Sequence, residues 1–404
     1  MKKVIKCGQL FCAKDESVAK DMAIVIEDNK IVEVVPAASV DTAGAEVFDL
    51  SAKFVMPGLI DAHVHINMNG EPGGSDWMLS TSDGKLALMS VLNAQDDLMA
   101  GFTSLRDESG ANFTDVAVRD MINAGKFWGP RIMCSGVSLS STGGHGDGHY
   151  NPGVVGGNMA YIVNSPDEAR AAVRRTFKYG ADQVKLMATG GVMSFGDEPG
   201  APEMSYEEMK AAIDIANERG LLSSAHAHGA EGIKNAVRAG ITSIEHGMLI
   251  DEEGREMMAK YGTYLLPTII AAYNIVEFGV ANGIPQWAVD KAAYCLENHF
   301  ESVSKMRKMG VNIGFGTDAA TPFNFHGKQG FEFELMTRAG FSPAETLLAA
   351  TKVNAKLMKW DSKVGSIEPG KFADVVAFDK NPLDDIKVMT TVSFVMKDGV
   401  VYKS

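Results

Sequence analysis

A repeated order of helix, glycine and apolar strand in the middle of the chain limits the possible folds more than any other pattern. Ser165–Glu168 has the pattern of a helix start, with proline at the first helical position and glutamate placed for a capping box. The predicted helix ends at Gly180, and an apolar strand follows over 181–188. The same order recurs twice, with further strands expected at 221–225 and 241–244. Because helices that alternate with strands connect parallel sheets, this segment predicts consecutive βα units.

The two ends of the chain have a different pattern, typical of antiparallel hairpins. Residues 22–35 contain two apolar runs separated by the polar turn Asp28–Lys30. Residues 393–402 repeat this arrangement around Asp398–Gly399, a pair that favours a type I′ turn. Each end is too short to form a sheet with a core of its own, so we expect the two ends to pair.

These patterns predict two domains of the α/β class. Residues 57–359 are expected to form a (β/α)8 TIM barrel, a fold that needs about 250 residues. Residues 1–56 and 360–404 are expected to form a small composite β-sandwich domain from both termini. The alternative for the middle segment is an open, doubly wound parallel sheet.

Composition excludes several classes of protein. The chain has 404 residues, of which 46% are hydrophobic, and a net charge of −13 that would repel nucleic acid. Four cysteines without a Cys-x-x-Cys pair fit a reducing compartment better than a disulfide scaffold. We find no signal-peptide core and no apolar run near the ~20 residues of a membrane span. We therefore expect a cytoplasmic protein that binds neither nucleic acid nor membranes.

A His-x-His pair is the first candidate for metal binding. His63 and His65 follow the apolar run 54–60, and residues two apart in a strand point to the same side. The two imidazoles would therefore aim into one space, as two ligands of one metal ion do. This pattern is weak evidence when it stands alone, so further donors are needed.

A lysine inside an apolar strand is the second candidate. Lys185 lies within the predicted strand 183–187, where a buried cation is costly. A buried ion pair or a snorkelling side chain would be purely structural explanations. The functional hypothesis is that burial lowers the lysine pKa and leaves a neutral amine, which can take up carbon dioxide. The resulting carbamate has two oxygens and a negative charge, and it can bridge two metal ions.

Three further polar residues lie in or after predicted strands. His226, His246 and Asp318 could each be an ordinary polar residue at a strand end. In a parallel barrel, however, the carboxyl ends of the strands converge on the face that carries the active site. Together with His63, His65 and the lysine, they would supply ligands for two metal ions with open positions.

These residues resemble the motifs of the amidohydrolase superfamily. The matching motifs are the His-x-His after strand one, the lysine of strand four, the histidines of strands five and six and the aspartate of strand eight. Residues 101–107 resemble the second strand of that superfamily, and residues 364–374 resemble its C-terminal return to the β-domain. The resemblance covers nearly the whole chain, with every ligand position filled.

Within the superfamily the chain is most similar to the prolidase and carboxypeptidase-like branch, which is related to imidazolonepropionase. The motifs that carry this similarity are Gly143–Gly146, His226–Gly229 and Ser243–Gly247. The resemblance implies that His145 and His228 face the substrate, at its carbonyl oxygen or its terminal carboxylate. The alternative is that these two histidines only orient the metal ligands.

Two more histidines are candidates for substrate contact. His149 belongs to the glycine-rich loop 143–153, which could act as a lid, and His326 follows Asp318 in the eighth loop. Met68, Met78, Met193, Tyr273 and Phe323 are candidates for an apolar substrate pocket, with core packing as the alternative.

The resemblance implies two divalent metal ions, for which zinc fits the donors well and manganese, cobalt and iron are alternatives. The implied ligands are His63, His65 and Asp318 for one ion, His226 and His246 for the other, and carboxylated Lys185 as the bridge. Asp318 would take a proton from the attacking water and pass it to the leaving amine. Asp318, His145 and His228 are therefore the candidate catalytic residues.

The expected activity is hydrolysis of the amide bond of dipeptides or N-acyl amino acids, of the Xaa-Pro or Xaa-Arg/Lys type. A cyclic amide hydrolase or another C–N hydrolase of the superfamily is the alternative, and a non-catalytic binding protein on the same fold is a remote one. Members of this family are often multimeric, so we also expect a homo-oligomer.

Overall fold

The computed structural model describes residues 2–73, 76–148 and 160–404. His149 and the rest of the predicted lid loop from 149 to 153 therefore lie outside the described residues. By its internal contacts the chain divides into two units. The first unit comprises Met1–Asp61, Gln95–Leu105 and Gly327–Ser404, and the second comprises Ala62–Ala94 and Arg106–His326. The domain limits predicted from the sequence stay a prediction.

Strands and helices alternate through the middle of the chain and give way to strands at both ends. The strands are β1 (Lys2–Phe11), β2 (Val18–Glu27), β3 (Lys30–Pro36), β4 (Glu46–Pro57), β5 (Leu59–Val64), β6 (Phe102–Asp107), β7 (Arg131–Cys134), β8 (Ser138–Ser140), β9 (Ala160–Ile162), β10 (Gln183–Met187), β11 (Leu222–Gly229), β12 (Ser243–Leu249), β13 (Tyr264–Leu266), β14 (Asn312–Ile313), β15 (Val375–Phe378), β16 (Val392–Lys397) and β17 (Val400–Lys403). The α-helices are α1 (Asp83–Met99), α2 (Thr114–Asn123), α3 (Pro166–Lys178), α4 (Tyr206–Glu218), α5 (Ala230–Ala239), α6 (Glu252–Tyr261), α7 (Ile269–Phe278), α8 (Gln286–Leu296), α9 (His299–Lys308), α10 (Phe331–Arg338), α11 (Pro343–Leu348) and α12 (Asn354–Leu357). Short 3-10 turns lie at Ala37–Ser39, Asp76–Ser80, Ala111–Phe113, Val280–Asn282 and Ile386–Thr390, and a π-helical turn lies at Ala349–Val353.

Strands from both termini form one mixed sheet in the first unit. Its order is β17-β16-β15-β4-β1-β2-β3, in which only β1 and β4 pair in parallel. Both predicted hairpins are confirmed, because Glu27 pairs with Lys30 and Lys397 pairs with Val400. Asp398 and Gly399 both have positive φ, as a type I′ turn requires. A layer of buried side chains that includes Ile5, Ile24, Val55, Val375 and Phe394 forms the core of this sheet.

The second unit contains a seven-stranded sheet of order β14-β13-β12-β11-β10-β8-β9, in which every pair is parallel. The three predicted helix–glycine–strand units are confirmed as α3–β10, α4–β11 and α5–β12. Ser165 and Ser205 cap α3 and α4, and Ser205 and Glu208 complete a capping box. Glu168 instead accepts a hydrogen bond from the backbone N–H of Asn164, one residue before the cap.

A further sheet of order β5-β6-β7 precedes the parallel one along the chain. The backbone N–H of Ala62 donates to the carbonyl oxygen of Phe315 at 3.0 Å, and that of Asp318 donates to His63 at 2.7 Å. These bonds bring the end of β5 beside the segment that follows β14. None of the helices in the described part of the chain has both the length and the apolar character that a membrane span needs.

Candidate metal centre

The end of β5 carries two of the predicted ligands side by side. Because His63 and His65 are two residues apart, their rings share one side, and the ring centroids are 5.4 Å apart. Both Nε2 atoms point to the same carboxylate oxygen, Oδ1 of Asp318, at 3.3 Å and 3.0 Å. Asp318 has a φ of 58°, a left-handed conformation that aspartate adopts more readily than most residues. The three predicted ligands of one metal ion are thus in direct contact.

The other predicted ligands lie on three neighbouring strands. In the parallel register Lys185 pairs with Ser224 and Met187 pairs with His226, so the lysine and His226 side chains emerge on the same face. The ring of His226 lies 4.8 Å from that of His246, which in turn lies 5.1 Å from that of His63. The donor atoms of His63, His246 and Asp318 all lie within 4.8 Å of one another.

A break in strand alternation allows β12 to contribute two residues to the same place. In a regular strand Glu245 and His246 would point to opposite faces. His246 has a φ of 70°, followed by Gly247 at 65°, and these positive angles interrupt the alternation. As a result Glu245 accepts a hydrogen bond from Nδ1 of His63 at 2.7 Å, while the His246 ring packs against His63. Such strain in a non-glycine residue is typical of functional sites.

Two ring orientations are set by hydrogen bonds on the side away from the cluster. Oε2 of Glu245 binds Nδ1 of His63, and Oγ1 of Thr268 lies 2.7 Å from Nδ1 of His246. With Nδ1 occupied, each ring can present only Nε2 to a metal ion. Metal-binding histidines have this arrangement, in which the second nitrogen is held by a carboxylate or another polar group.

Beneath Lys185 lies a buried ion network that sequence reasoning did not find. Nζ of Lys185, which is 2% exposed, lies 3.0 Å from Oε2 of Glu108. Arg106 is fully buried, and it contacts Glu108 at 3.0 Å and Glu245 at 2.9 Å. Ser224 donates to Glu108 at 2.6 Å. In the sequence, the charged residues Arg106 and Glu108 at alternate positions beside an apolar run could have indicated a buried ion network. Only the fold brings these charges to the lysine.

Breaking this network should destabilise the fold strongly. Replacement of Arg106 by methionine would leave two buried carboxylates, Glu108 and Glu245, without their arginine. Removing one partner of a buried ion pair costs about 3–5 kcal/mol, so we expect a loss of that size in the free energy of unfolding by urea. Arg238, which is half-exposed on α5, provides the control, and Arg238→Met should change stability by less than about 1 kcal/mol. Equal stability of the two variants would contradict the structural role of Arg106.

Protonation states in the cluster suit metal binding. Burial lowers the pKa of His65, and it lowers the pKa values of His226 and His246 well below the usual range, helped by neighbouring histidines. Burial also opposes ionisation of Asp318, but His63 and the hydrogen bonds from His63 and His65 hold its pKa well below the usual range. Burial acts to lower the pKa of His63 too, yet Asp318 and Glu245 raise it to about 9. Neutral imidazoles at His65, His226 and His246 beside the ionised Asp318 form the donor set that a divalent ion such as zinc requires, and His63 would join them by releasing its proton when the ion binds, so the residues fit a metal.

The predicted substrate histidines have different surroundings. The ring of His145 stacks on that of His226 at 4.1 Å, and the ring of His228 stacks on that of His246 at 5.0 Å. Burial lowers the pKa of His145 to about 4 and that of His228 to about 3. His326 lies elsewhere, with Nε2 at 3.2 Å from the backbone carbonyl of His65. Substrate contact by His326 stays a prediction.

A cavity opens over the histidines, the lysine and Asp318. Its enclosed part has a volume of about 130 Å³, and the space counted out to the open mouth, with solvent included, is about 980 Å³. Apolar side chains make up much of the wall, namely Met68, Met187, Val192, Met193, Met248, Ala271, Ala272, Ile275 and Pro322. Of the five apolar candidates from the sequence, Met68 and Met193 line this cavity. Among the described residues that line it, Asp318 is the only carboxylate.

Glu203, in the loop that follows β10, has a raised pKa. Burial, together with the charge of Asp197, raises the pKa of Glu203 from 4.5 to about 8, although the backbone N–H of His145 donates to this carboxyl at 2.8 Å. The folded chain therefore keeps a proton that the unfolded chain releases above pH 4.5. Folding stability should accordingly decline as pH rises from 4.5 through 8.

Replacing Glu203 with glutamine should remove this part of the pH dependence. The amide mimics the protonated acid, so we expect equal stability of wild type and Glu203→Gln near pH 4.5. At pH 9 the free energy of unfolding of the variant should exceed that of wild type by about 3 kcal/mol. This difference is smaller than the whole pKa shift would give, because the carboxyl is partly solvated. Urea unfolding at a series of pH values measures this difference, and a difference that stays constant with pH would contradict the raised pKa.

Comparisons with known proteins identify the family of the chain. The model of the amidohydrolase family matches residues 54–402. A curated relative, ochratoxinase from Aspergillus niger, is 33% identical over 379 residues, which cover 86% of this chain and 75% of that protein. The crystal structure of a Xaa-Pro dipeptidase with bound methionine superposes with a TM-score of 0.92, at 34% identity and with 100% of each chain covered. Imidazolonepropionase from Fusobacterium nucleatum subsp. nucleatum is 24% identical over 383 residues, covering 88% of this chain and 84% of that protein.

The chain belongs to the amidohydrolase family. The resemblance to the prolidase-like branch and to imidazolonepropionase, inferred from the sequence, is confirmed. The protein is a metal-dependent hydrolase that acts on carbon–nitrogen bonds.

Proposed function

We propose that this protein is a binuclear amide hydrolase that cleaves dipeptides or N-acyl amino acids carrying a large apolar group. The observation that carries the proposal is the cavity itself, in which methionine and isoleucine side chains surround the cluster of histidines and Asp318. Such a wall binds apolar groups through burial of their surface. It offers no second carboxylate among its described residues to pair with an arginine or lysine side chain, so an apolar residue is favoured over Xaa-Arg/Lys.

The proposed metal ligands are those of the sequence analysis, namely His63, His65 and Asp318 for one zinc ion, His226 and His246 for a second, and carboxylated Lys185 between them. When bound, the ions would activate water and polarise the scissile carbonyl. Asp318, poised between two imidazoles, would accept a proton from the water and return it to the leaving nitrogen. His228, which lines the cavity, would contact the terminal carboxylate.

Lys185 must lose a proton before it can be carboxylated. Carbon dioxide adds only to a neutral amine, whereas the unmodified lysine pairs with Glu108. Carboxylation of Lys185 would therefore follow loss of a proton from this ion pair. Afterwards Arg106, Gln183 and Ser224 would still bind Glu108, so the second carboxylate would remain stabilised.

We also propose that the two sheets β5-β6-β7 and β8–β14 continue into a closed (β/α)8 barrel, and that the terminal strands form a sandwich. Support comes from backbone bonds from Ala62 in β5 to Phe315, two residues after β14, and from Asp182, one residue before β10, to Cys134 in β7. The cytoplasmic location and the homo-oligomer stay predictions.

A release assay with zinc-loaded protein tests the proposed function. The panel comprises Xaa-Pro, Xaa-Arg and apolar dipeptides, their N-acyl counterparts, ochratoxin and several cyclic amides. We expect free amino acid from the linear substrates, with kcat/KM for apolar residues exceeding that for arginine by about 100-fold. Turnover confined to cyclic amides would overturn the proposed substrate class, and a preference for arginine would overturn the role of the apolar wall.

A further inference from the structure

The ring of His145 is clamped against the loop that follows β10. A side-chain carbon added to Gly191 would lie 2.1 Å from Nδ1 and 2.2 Å from Cε1 of this ring. No such carbon can be accommodated unless the ring moves, so Gly191 is required for the observed placement. The ring therefore occupies one defined position at the cavity wall, with the stacked His226 on another side.

A chain of polar contacts runs from His145 to helix α8. Nδ1 of His145 lies 2.7 Å from Oγ of Ser194, whose hydroxyl donates to Oδ2 of Asp197 at 2.5 Å. The other oxygen of Asp197 accepts from Nζ of Lys291 at 2.8 Å. The backbone N–H of Gly191 also donates to Oδ2 of Asp197, at 2.9 Å. Lys291 additionally donates to the carbonyl oxygens of Gly191 and Ser194, which ties the whole loop to the helix.

These contacts determine which nitrogen of His145 carries the proton. Burial acts to raise the pKa of Asp197, but His145, Lys291 and Ser194 hold it below its ordinary value, so Asp197 is an ionised acceptor. A hydroxyl has one proton, and Ser194 gives its proton to this carboxylate. Ser194 can then only accept from His145, which requires a proton on Nδ1. Because Lys291 and Ser194 already pair with Asp197, the contacts on this side of the ring call for one proton, on Nδ1, and leave Nε2 to act as an acceptor at the cavity wall.

We propose that Ser194, Asp197 and Lys291 are positioning residues that hold His145 in the Nδ1–H tautomer, so that its Nε2 accepts a hydrogen bond from an N–H group of the substrate. In this state Nε2 of His145 cannot donate to the scissile carbonyl, which was one of the roles expected from the sequence. Two groups could supply the N–H, namely the scissile secondary amide and a free α-ammonium. This inference rests on the proposed function and adds that prolyl bonds, whose nitrogen carries no hydrogen, lose the first of these contacts.

The tautomer can be measured independently of catalysis. Zinc-loaded protein labelled with ¹⁵N-histidine is examined by long-range ¹H–¹⁵N correlation, and His145→Gln assigns the ring. We expect a protonated Nδ1 and an unprotonated Nε2 in wild type and in Ser194→Thr, which keeps the hydroxyl. In Ser194→Ala the Nε2–H form should appear. A wild-type ring protonated on Nε2 would overturn the proposal even if the protein hydrolyses amides.

Three matched substrates test the consequence for specificity. N-acyl-phenylalanine offers only an amide N–H, glycyl-N-methyl-phenylalanine offers only an ammonium, and N-acyl-N-methyl-phenylalanine offers neither. We expect kcat/KM for the third compound to be at least about tenfold lower than for the first or the second, depending on which of their N–H groups binds His145. This ratio of kcat/KM values should fall to about one- to threefold in Ser194→Ala. In Ser194→Thr, which keeps the hydroxyl, the ratio should match that of wild type. A ratio unchanged by Ser194→Ala would show that the methyl group acts only by its size and would overturn the inference.

The two experiments distinguish failure of the proposed function from failure of this inference. If none of the amides is cleaved, the proposed substrate class fails, while the ¹⁵N spectra still decide the tautomer. If amides are cleaved but Nε2 is protonated, the proposed function stands and the positioning role of Ser194, Asp197 and Lys291 falls.

Discussion

Replacement of Lys185 by alanine is expected to remove metal and activity together while leaving the fold intact. The lysine is the bridging ligand in our proposal, so its loss should reduce bound zinc from two ions per chain to one or none. The rate should fall on the order of 10³-fold, which corresponds to about 4 kcal/mol of barrier. The fold should survive because Glu108 keeps its bonds to Arg106 and Ser224. Elemental analysis and an amide-release assay on the same preparation measure the two effects.

Lys234 provides a matched control for this experiment. It is another buried lysine, on α5, and its Nζ contacts Glu231, Asp251 and Glu253 instead of the proposed centre. Lys234→Ala should therefore retain both metal and activity. Acetate at millimolar concentration should partly restore Lys185→Ala, because a small carboxylate can replace the lost bridge. Full metal loading and full activity of Lys185→Ala would contradict the bridging role.

Replacement of Asp318 by asparagine is expected to lower kcat by about 10³-fold, within the range for loss of a general acid–base group. The amide keeps the shape of the carboxylate but cannot take a proton from water. Asparagine also tolerates the left-handed conformation found here at φ 58°, so the backbone should not be strained. The effect should therefore appear in kcat with little loss of folding stability. Stopped-flow or steady-state hydrolysis, together with thermal unfolding, separates these quantities.

Asp251 supplies the corresponding control, since it caps helix α6 by accepting from Gly254. Asparagine is an equally good cap, so Asp251→Asn should behave as wild type. Asp318→Asn with wild-type kcat and bound metal would exclude the aspartate as the proton carrier. Loss of metal in Asp318→Asn would assign the effect to binding, and added zinc at saturating concentration would then restore the rate.

Local patterns in the sequence predicted the elements correctly where the controlling interactions are themselves local. The turn at Asp398–Gly399 needs two adjacent residues that accept positive φ, and the start of α4 needs Ser205 and Glu208 three residues apart. The approach of the candidate donors was also predictable, because His63 and His65 share a face by spacing alone. For the remaining donors the prediction required parallel strands whose carboxyl ends meet at one edge.

The sequence alone predicted three helix–glycine–strand units, both terminal hairpins, the family and a set of candidate donors, because each depends on residues close together in the chain or on motifs at strand ends. How these candidate donors are held depends instead on contacts between distant parts of the chain. Glu245 reaches His63 because His246 breaks the alternation of β12, and Lys291 reaches Asp197 across 94 positions of the chain. Such contacts depend on register, on left-handed residues and on loop packing, which no local pattern encodes. The tautomer of His145 follows from them, because the position of a single proton is set by all the partners that surround the ring.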